Sequence, residues 1–265
     1  LDALGVDAEP FSAAAAPDRA LEWWERLRDT QPAPFDSLAA SSEWAQALIR
    51  LVGASDGLAE FLKRRPEVWS ELAKPLIGPL EREELIGLWR SEVAGLEHDR
   101  AVVALRVGYR RELARLALWD TIQHAPIDAV DQVARGLADL ADAAIEVAID
   151  IARAELQLEP TDVPLAVIAM GKAGARELNY LSDVDVIYVT EAADPEQQDR
   201  ILRGATSLAQ SLQRIIGEFG AEPGLWEVDA NLRPEGKDGA LVRTLDSHVA
   251  YYQRWAKDWE FQALI

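Results

Sequence analysis

The chain has 265 residues, 49% of them hydrophobic, enough to bury a full core in one large domain or two smaller ones, which excludes a disordered polypeptide. Lysine and arginine total 27 against 46 acidic residues, a formal net charge of -19. That balance argues against broad nonspecific contact with nucleic acid and requires locally placed cations for any anionic substrate.

Cysteine is absent, so there is no disulfide framework and no thiolate metal site. A reducing cytosol fits, and oxygen ligands are the main option for a metal. No charged-then-apolar leader and no apolar run near 18 residues stand out, so a soluble, cytoplasmic protein without membrane contact is expected.

From residue 19 to about 158 the pattern is helical. In "DRAVVALRVGYRRELARLALWD" the apolar residues Val102, Leu105, Tyr109, Leu113 and Leu116 recur every three or four positions, one stripe facing a core, with Arg110, Arg111 and Arg115 mostly off it. Punctuation at "TQPAPFDS", Pro66, "KPLIGP" and "HAPID" predicts five or six helices. The nine tryptophans, scattered at helical spacing, read as core anchors rather than ligand stackers. His98, His124 and His248 lack metal-ligand spacing.

The texture changes at "LEPTDVPLAVIAMG". Pro160 and Pro164 break the preceding helix, and residues 165–170 form the short apolar run of a buried strand, which places a domain boundary near residue 160. A Gly171–Lys172 turn follows, then a strand from Asp183, a helix over 195–219, a second strand "LWEVDANL", a loop "RPEGKDGALV" and a last helix near Asp246. Strands alternating with helices behind an all-helical arm predict a helical domain at 1–160 and a catalytic unit at 161–265.

Asp183 and Asp185 lie on a strand, by the β-branched and aromatic content of "VDVIYV". Side chains at i and i+2 leave one face, so the two carboxylates point together and can clamp a hard cation such as Mg²⁺. Taken alone, such a pair reads first as a solvated strand end. Gly171, twelve positions earlier and followed by Lys172, makes a turn at which backbone N–H groups and an ammonium can approach a phosphate. The later strand supplies Asp229, on the face of Glu227 and Asn231 by alternation. Three such carboxylates can hold two cations about 3.5–4 Å apart, suited to in-line displacement at phosphorus.

A glycine turn, a spacer, an Asp-x-Asp strand and a distant third Asp form a pattern that resembles the nucleotidyltransferase superfamily related to DNA polymerase β. More narrowly, "MGKAGARELNYLSDVDVIYV", "EVDANLRPEGKDGALV" and "DWEFQAL" resemble the bifunctional glutamine synthetase adenylyltransferase/adenylyl-removing family, and "LIRLVGASDGLAEFLKRRPEVW" and "ALRVGYRRELARLALWD" extend the likeness across most of the chain. That family joins two nucleotidyltransferase halves. Asn179, the paired tyrosines of "YYQRW" and Asp258 resemble the N-terminal, adenylyl-removing half. The superfamily usually has Gly or Ser where Lys172 stands, and many relatives have Gly at the position of Ala169.

The resemblance implies an α+β fold, a helical N-terminal domain followed by a nucleotidyltransferase-type mixed β-sheet with helices, continuing past residue 265. It implies phosphorolysis of an AMP group on a tyrosine of adenylylated glutamine synthetase, with phosphate as attacking group and ADP as product. Asp183, Asp185 and Asp229 would be the catalytic metal ligands for Mg²⁺ or Mn²⁺. Gly171, Lys172 and Arg233 would hold phosphate oxygens, and Ser182 would bond a phosphate or cap the turn. Arg176 and Glu177 could simply pair with each other, and Lys237 and Arg243 flank a loop that either closes over substrate or is simply solvated. The alternatives are adenylylation of the tyrosine from ATP, or a noncatalytic module docking glutamine synthetase or a PII signalling protein.

Overall fold

Short breakers divide the helical part of the chain more finely than its periodicity predicts. The computed structural model describes residues 9–75, 78–192 and 194–263. Its helices run α1 (Glu9–Ser12), α2 (Pro17–Thr30), α3 (Pro32–Ala39), α4 (Ser42–Ala54), α5 (Asp56–Arg64), α6 (Trp69–Leu72), α7 (Arg82–Val93), α8 (His98–Thr121) and α9 (Pro126–Leu156). Among the described residues α2–α9 are eight helices where five or six were expected, because single residues suffice as hinges. Ser55 ends α4 by donating its N–H to the Leu51 carbonyl at 2.9 Å and opens α5 by accepting from the Leu58 N–H at 3.2 Å on its hydroxyl. Pro17 and Pro32 open α2 and α3 at positions where a missing N–H costs nothing.

The chain divides into two units, Leu1–Pro79 with Arg110–Val133, and Leu80–Tyr109 with Ala134–Ile265. The first is held by an aromatic cluster. Phe35 meets Trp24, Trp44 and Trp69 edge-on at centroid distances of 4.8, 5.9 and 5.8 Å, and Phe11 meets Trp24 at 5.8 Å, the arrangement that ring quadrupoles favour. Trp69 donates its indole N–H to the Leu62 carbonyl and Trp23 to Asp56, so these buried rings leave their N–H groups satisfied. Trp23, Trp24, Trp44, Trp69 and Trp89 are buried as expected of core anchors, whereas Trp255 and Trp259 are 73% and 52% exposed.

In the second unit, Arg90 of α7 donates to Asp150 at 2.7 Å and Glu146 at 3.0 Å on α9. The small residues Ala141, Ala144, Ala148 and Ala152 of α9 are buried. The remaining elements are β1 (Ala166–Ala169), α10 (Gly171–Gly174), β2 (Val184–Thr190), α11 (Gln198–Gly217), β3 (Val228–Asp229), β4 (Val242–Thr244), α12 (Leu245–Arg254) and α13 (Asp258–Gln262). The fold is α+β. Its four-stranded sheet is mixed: β2 pairs antiparallel with β1 and parallel with both β3 and β4.

Neighbouring residues of a strand bond to opposite sides, and this fixes the order. The Asp185 carbonyl accepts from the Met170 N–H beside β1, while the Val184 N–H donates to the Glu227 carbonyl beside β3. β3 and β4 therefore share one edge of β2, and β1 holds the other. Helix α11 packs on the sheet through Ile201, Leu208, Leu212, Ile215 and Ile216, a stripe at helical spacing.

Three details differ from the sequence reading. β1 is an edge strand with Ile168 44% exposed rather than a buried one, since a short apolar run does not reveal which strand has a neighbour on both sides. β3 closes after two residues, so the alternation carried through "LWEVDANL" stops at Asp229. β4 lies within and just past the stretch read as a loop, its three residues too few for a period to show.

Candidate metal centre

β2 alternates strictly at its start. Val184, Val186 and Tyr188 are almost wholly buried on one face, which leaves Asp183 and Asp185 on the other. The third carboxylate arrives by register: in the parallel pair of β2 and β3, Asp185 stands directly opposite Asp229. Adjacent strands run about 4.8 Å apart, and carboxylate oxygens of Asp183, Asp185 and Asp229 all lie within 4.8 Å of one another. Asp183 is exposed, and Asp185 and Asp229 are half-buried.

Like charges set opposite each other on a sheet are destabilising, and the electrostatics show it. Partial burial pushes the Asp185 carboxyl up, the charges of Asp183 and Asp229 push it further, and Lys172 pulls it back. Asp229 is oriented locally, accepting from the Asn231 N–H at 2.6 Å in an Asx turn that carries the chain away from the sheet.

Beside the acidic cluster stands the glycine turn. The Met170 N–H donates to the Asp185 carbonyl at 2.8 Å and hands the chain directly into α10. Gly171 has φ of 53°, and a Cβ built on it would lie 3.1 Å from Asp185 Oδ2; both the dihedral and the close approach call for glycine. Gly174 closes the turn, since a Cβ there would lie 2.6 Å from the Ala169 carbonyl oxygen. Sequence reasoning passed over Gly174, whose signal was the second glycine of "GKAG".

Of the candidate residues, the structure thus brings together Asp183, Asp185, Asp229, Gly171 and Lys172. The Ser182 hydroxyl is buried without a hydrogen-bond partner, next to Asp183. Arg233 is committed to its own loop: Nη1 donates to the Ala230 carbonyl at 2.8 Å, Nη2 to Lys237 at 3.0 Å and Nε to Gly239 at 3.2 Å. Arg243 forms an ion pair with Glu235 of the same loop and lies 5.7 Å over the Tyr251 ring, and Tyr251 donates to the buried Glu260 at 2.8 Å. The loop is thus latched rather than loosely solvated. Arg176 does not pair with Glu177; its partners are Asp139 and Asp142 on α9, since the left-handed backbone at Arg176 turns its side chain away from its neighbour's.

The donor set is all oxygen, as a hard cation such as Mg²⁺ or Mn²⁺ requires. A divalent ion would also offset the repulsion that raises Asp185. The residues present therefore fit such an ion. No helix among the described residues is long and apolar enough to cross a membrane.

A family model described as glutamate-ammonia ligase adenylyltransferase matches residues 45–265. Among curated proteins, the bifunctional glutamine synthetase adenylyltransferase/adenylyl-removing enzyme of Leifsonia xyli subsp. xyli is 46% identical over 270 residues, covering 96% of this chain and 27% of that protein. The enzyme of the same name from Streptomyces coelicolor is 46% identical over 266 residues, 97% of this chain and 26% of the relative. That of Mycobacterium avium is 41% identical over 264 residues, 96% and 25%. The chain thus spans about a quarter of the length of the curated relatives it matches.

Proposed function

Because this chain belongs to the glutamate-ammonia ligase adenylyltransferase family, we propose that it is the adenylyl-removing half of such an enzyme. Its reaction is the phosphorolysis of the AMP–tyrosine bond of adenylylated glutamine synthetase. The observation that carries this reading is the convergence of Asp183, Asp185 and Asp229 within 4.8 Å beside the Gly171 turn.

In the reaction an oxygen of inorganic phosphate attacks the α-phosphorus of the AMP group. A new P–O bond forms, the bond from phosphorus to the tyrosine oxygen breaks, ADP departs, and the phenolate takes up the proton that phosphate has given up. Mg²⁺ or Mn²⁺ held by the three aspartates would supply charge stabilisation for the transferring phosphoryl group and the leaving oxygen. Phosphate is already anionic at neutral pH, so the chain need not provide a strong base, and positioning carries much of the burden.

Lys172 supplies a cation for the incoming phosphate, and Gly171 allows backbone to approach where a side chain would strike Asp185. Ser182 brings an uncommitted hydroxyl beside Asp183. Arg233, four residues past Asp229, braces the loop that leaves β3 and adds positive charge there. Residues 161–265 carry all of these groups.

The test is to incubate the complete polypeptide with adenylylated glutamine synthetase, Mg²⁺ and phosphate. ADP release is expected, and its loss in Asp185→Asn with AMP incorporation from ATP retained would support the removing reaction for this chain; loss of AMP incorporation instead would assign the adenylylating reaction. Asp185→Asn is expected to abolish ADP release while sparing the fold. If every activity survives that substitution, the chain is a docking module for glutamine synthetase or a PII protein, and the catalytic reading is overturned.

A further inference from the structure

Arg176 stands in the left-handed region with φ of 60°, a conformation that costs a residue with a Cβ roughly 1–2 kcal/mol. It ends α10. The Arg176 N–H donates to the Ala173 carbonyl at 3.1 Å and the Glu177 N–H reaches back to Lys172 at 2.8 Å, the reversal that usually takes glycine. An arginine at that position needs another justification, and its side chain provides one.

Arg176 Nη2 donates to Asp139 Oδ1 at 2.6 Å, and Nη1 lies 3.8 Å from Asp142 Oδ2. Both acids lie on α9, three residues apart and therefore on one face. The Asp139 side chain is only 13% exposed, so this pair is screened less than an ordinary surface contact. Meanwhile the start of the turn is fixed to β2 through Met170, and Gly174 is pressed against β1. The segment bearing Lys172 is thus tied to the sheet at its start and to α9 at its end.

We propose that Arg176 is a positioning residue whose ion pair with Asp139 and Asp142 anchors the end of the Gly171–Gly174 turn and so sets where Lys172 stands beside Asp185. The anchor rests on geometry alone; its consequence for catalysis rests on the reading of this turn as a phosphate site.

Arg176→Gly and Asp139→Asn separate the two contributions. The first relieves the left-handed strain and deletes the pair, while the second removes only the negative charge of Asp139 and leaves an amide oxygen that can still accept from Arg176. In the complete polypeptide two quantities are read: amide hydrogen exchange over residues 171–177, and ADP affinity by calorimetry with Mn²⁺ present. Each variant is expected to speed exchange at Glu177 and weaken ADP binding about three- to fivefold, with the melting temperature within about 3 °C of wild type. The double variant should be no weaker than Arg176→Gly, because the partners act as one unit, and Arg176→Lys should recover part of the loss. If Arg176→Gly exchanges and binds like wild type, the backbone conformation alone shapes the turn and the anchor is overturned. Should wild type bind no ADP while exchange responds as described, the phosphate reading fails and the anchor stands.

Discussion

Trp24, Trp44 and Trp69 meet Phe35 edge-on and Phe11 meets Trp24, a buried cluster of five rings whose members support one another. Around Asp185, two further carboxylates crowd within 4.8 Å, and their charges add to burial in opposing its ionisation. The first arrangement lowers the energy of the folded chain with nothing added. The second raises it until something positive arrives, and a fold retains such a cluster most readily where the cluster performs a task. The contrast separates residues that hold the protein together from residues the protein must hold in place.

The largest effect should come from breaking the acidic cluster. Asp185→Asn or Asp229→Asn is expected to cut ADP release from adenylylated glutamine synthetase by at least about 10³-fold, roughly 4 kcal/mol in the barrier. The metal-free melting temperature should not fall, because a repulsive charge has been removed; a pronounced drop in that temperature would show the aspartates to be structural. Phe35→Ala should do the reverse. It is expected to cost about 3–4 kcal/mol of stability by denaturant titration while leaving Mn²⁺ affinity as it was.

Gly171→Ala sharpens the comparison, since it places a methyl group 3.1 Å from Asp185 Oδ2 at a φ of 53°. A loss of about 1–2 kcal/mol is expected, together with weaker Mn²⁺ binding, whereas a core substitution of equal cost should leave the ion's affinity alone.

How much of this was legible beforehand follows from range. The pairing of Asp183 with Asp185 is a period-two pattern at the head of one strand, visible in a few letters. Asp229 was legible as a candidate through its β-rich surroundings, but its place opposite Asp185 depends on a two-residue parallel pairing across more than forty positions. Arg233 looked like a free cation although its partners are near in sequence, because only the path of the loop backbone, which residue types do not spell out, turns the carbonyls of residues 230, 237 and 239 upon it. Arg176 was paired with its neighbour because its actual partners lie 37 and 34 residues upstream. The helical part was read correctly in type and too coarsely in number, since a one-residue hinge such as Ser55 interrupts apolar periodicity too briefly to register, and α3 forms within the stretch "TQPAPFDS" that reads as a break.

The smallest effect concerns His248, buried on α12 far from these carboxylates in sequence. Burial pushes its imidazole below the usual value of 6.5, the charge of Arg243 adds to that, and the Tyr188 backbone opposes it. The folded chain therefore prefers neutral His248. Its contribution to stability is present above pH 6.5 and is lost as pH falls through 6.5 towards the lowered value, because the unfolded chain takes up the proton first. Comparing thermal melts at pH 7.5 and pH 5, wild type should lose slightly more stability than His248→Gln; equal losses would mean that this ring does not report on pH.

The account stands on the acidic cluster as a site for divalent ions, and the anomalous signal of Mn²⁺ in crystals soaked with ADP addresses it most directly. The prediction is at least one peak bonded at about 2.0–2.2 Å to oxygens of Asp183, Asp185 and Asp229, lost in crystals of Asp185→Asn. Strong peaks elsewhere with none at the three aspartates would contradict it.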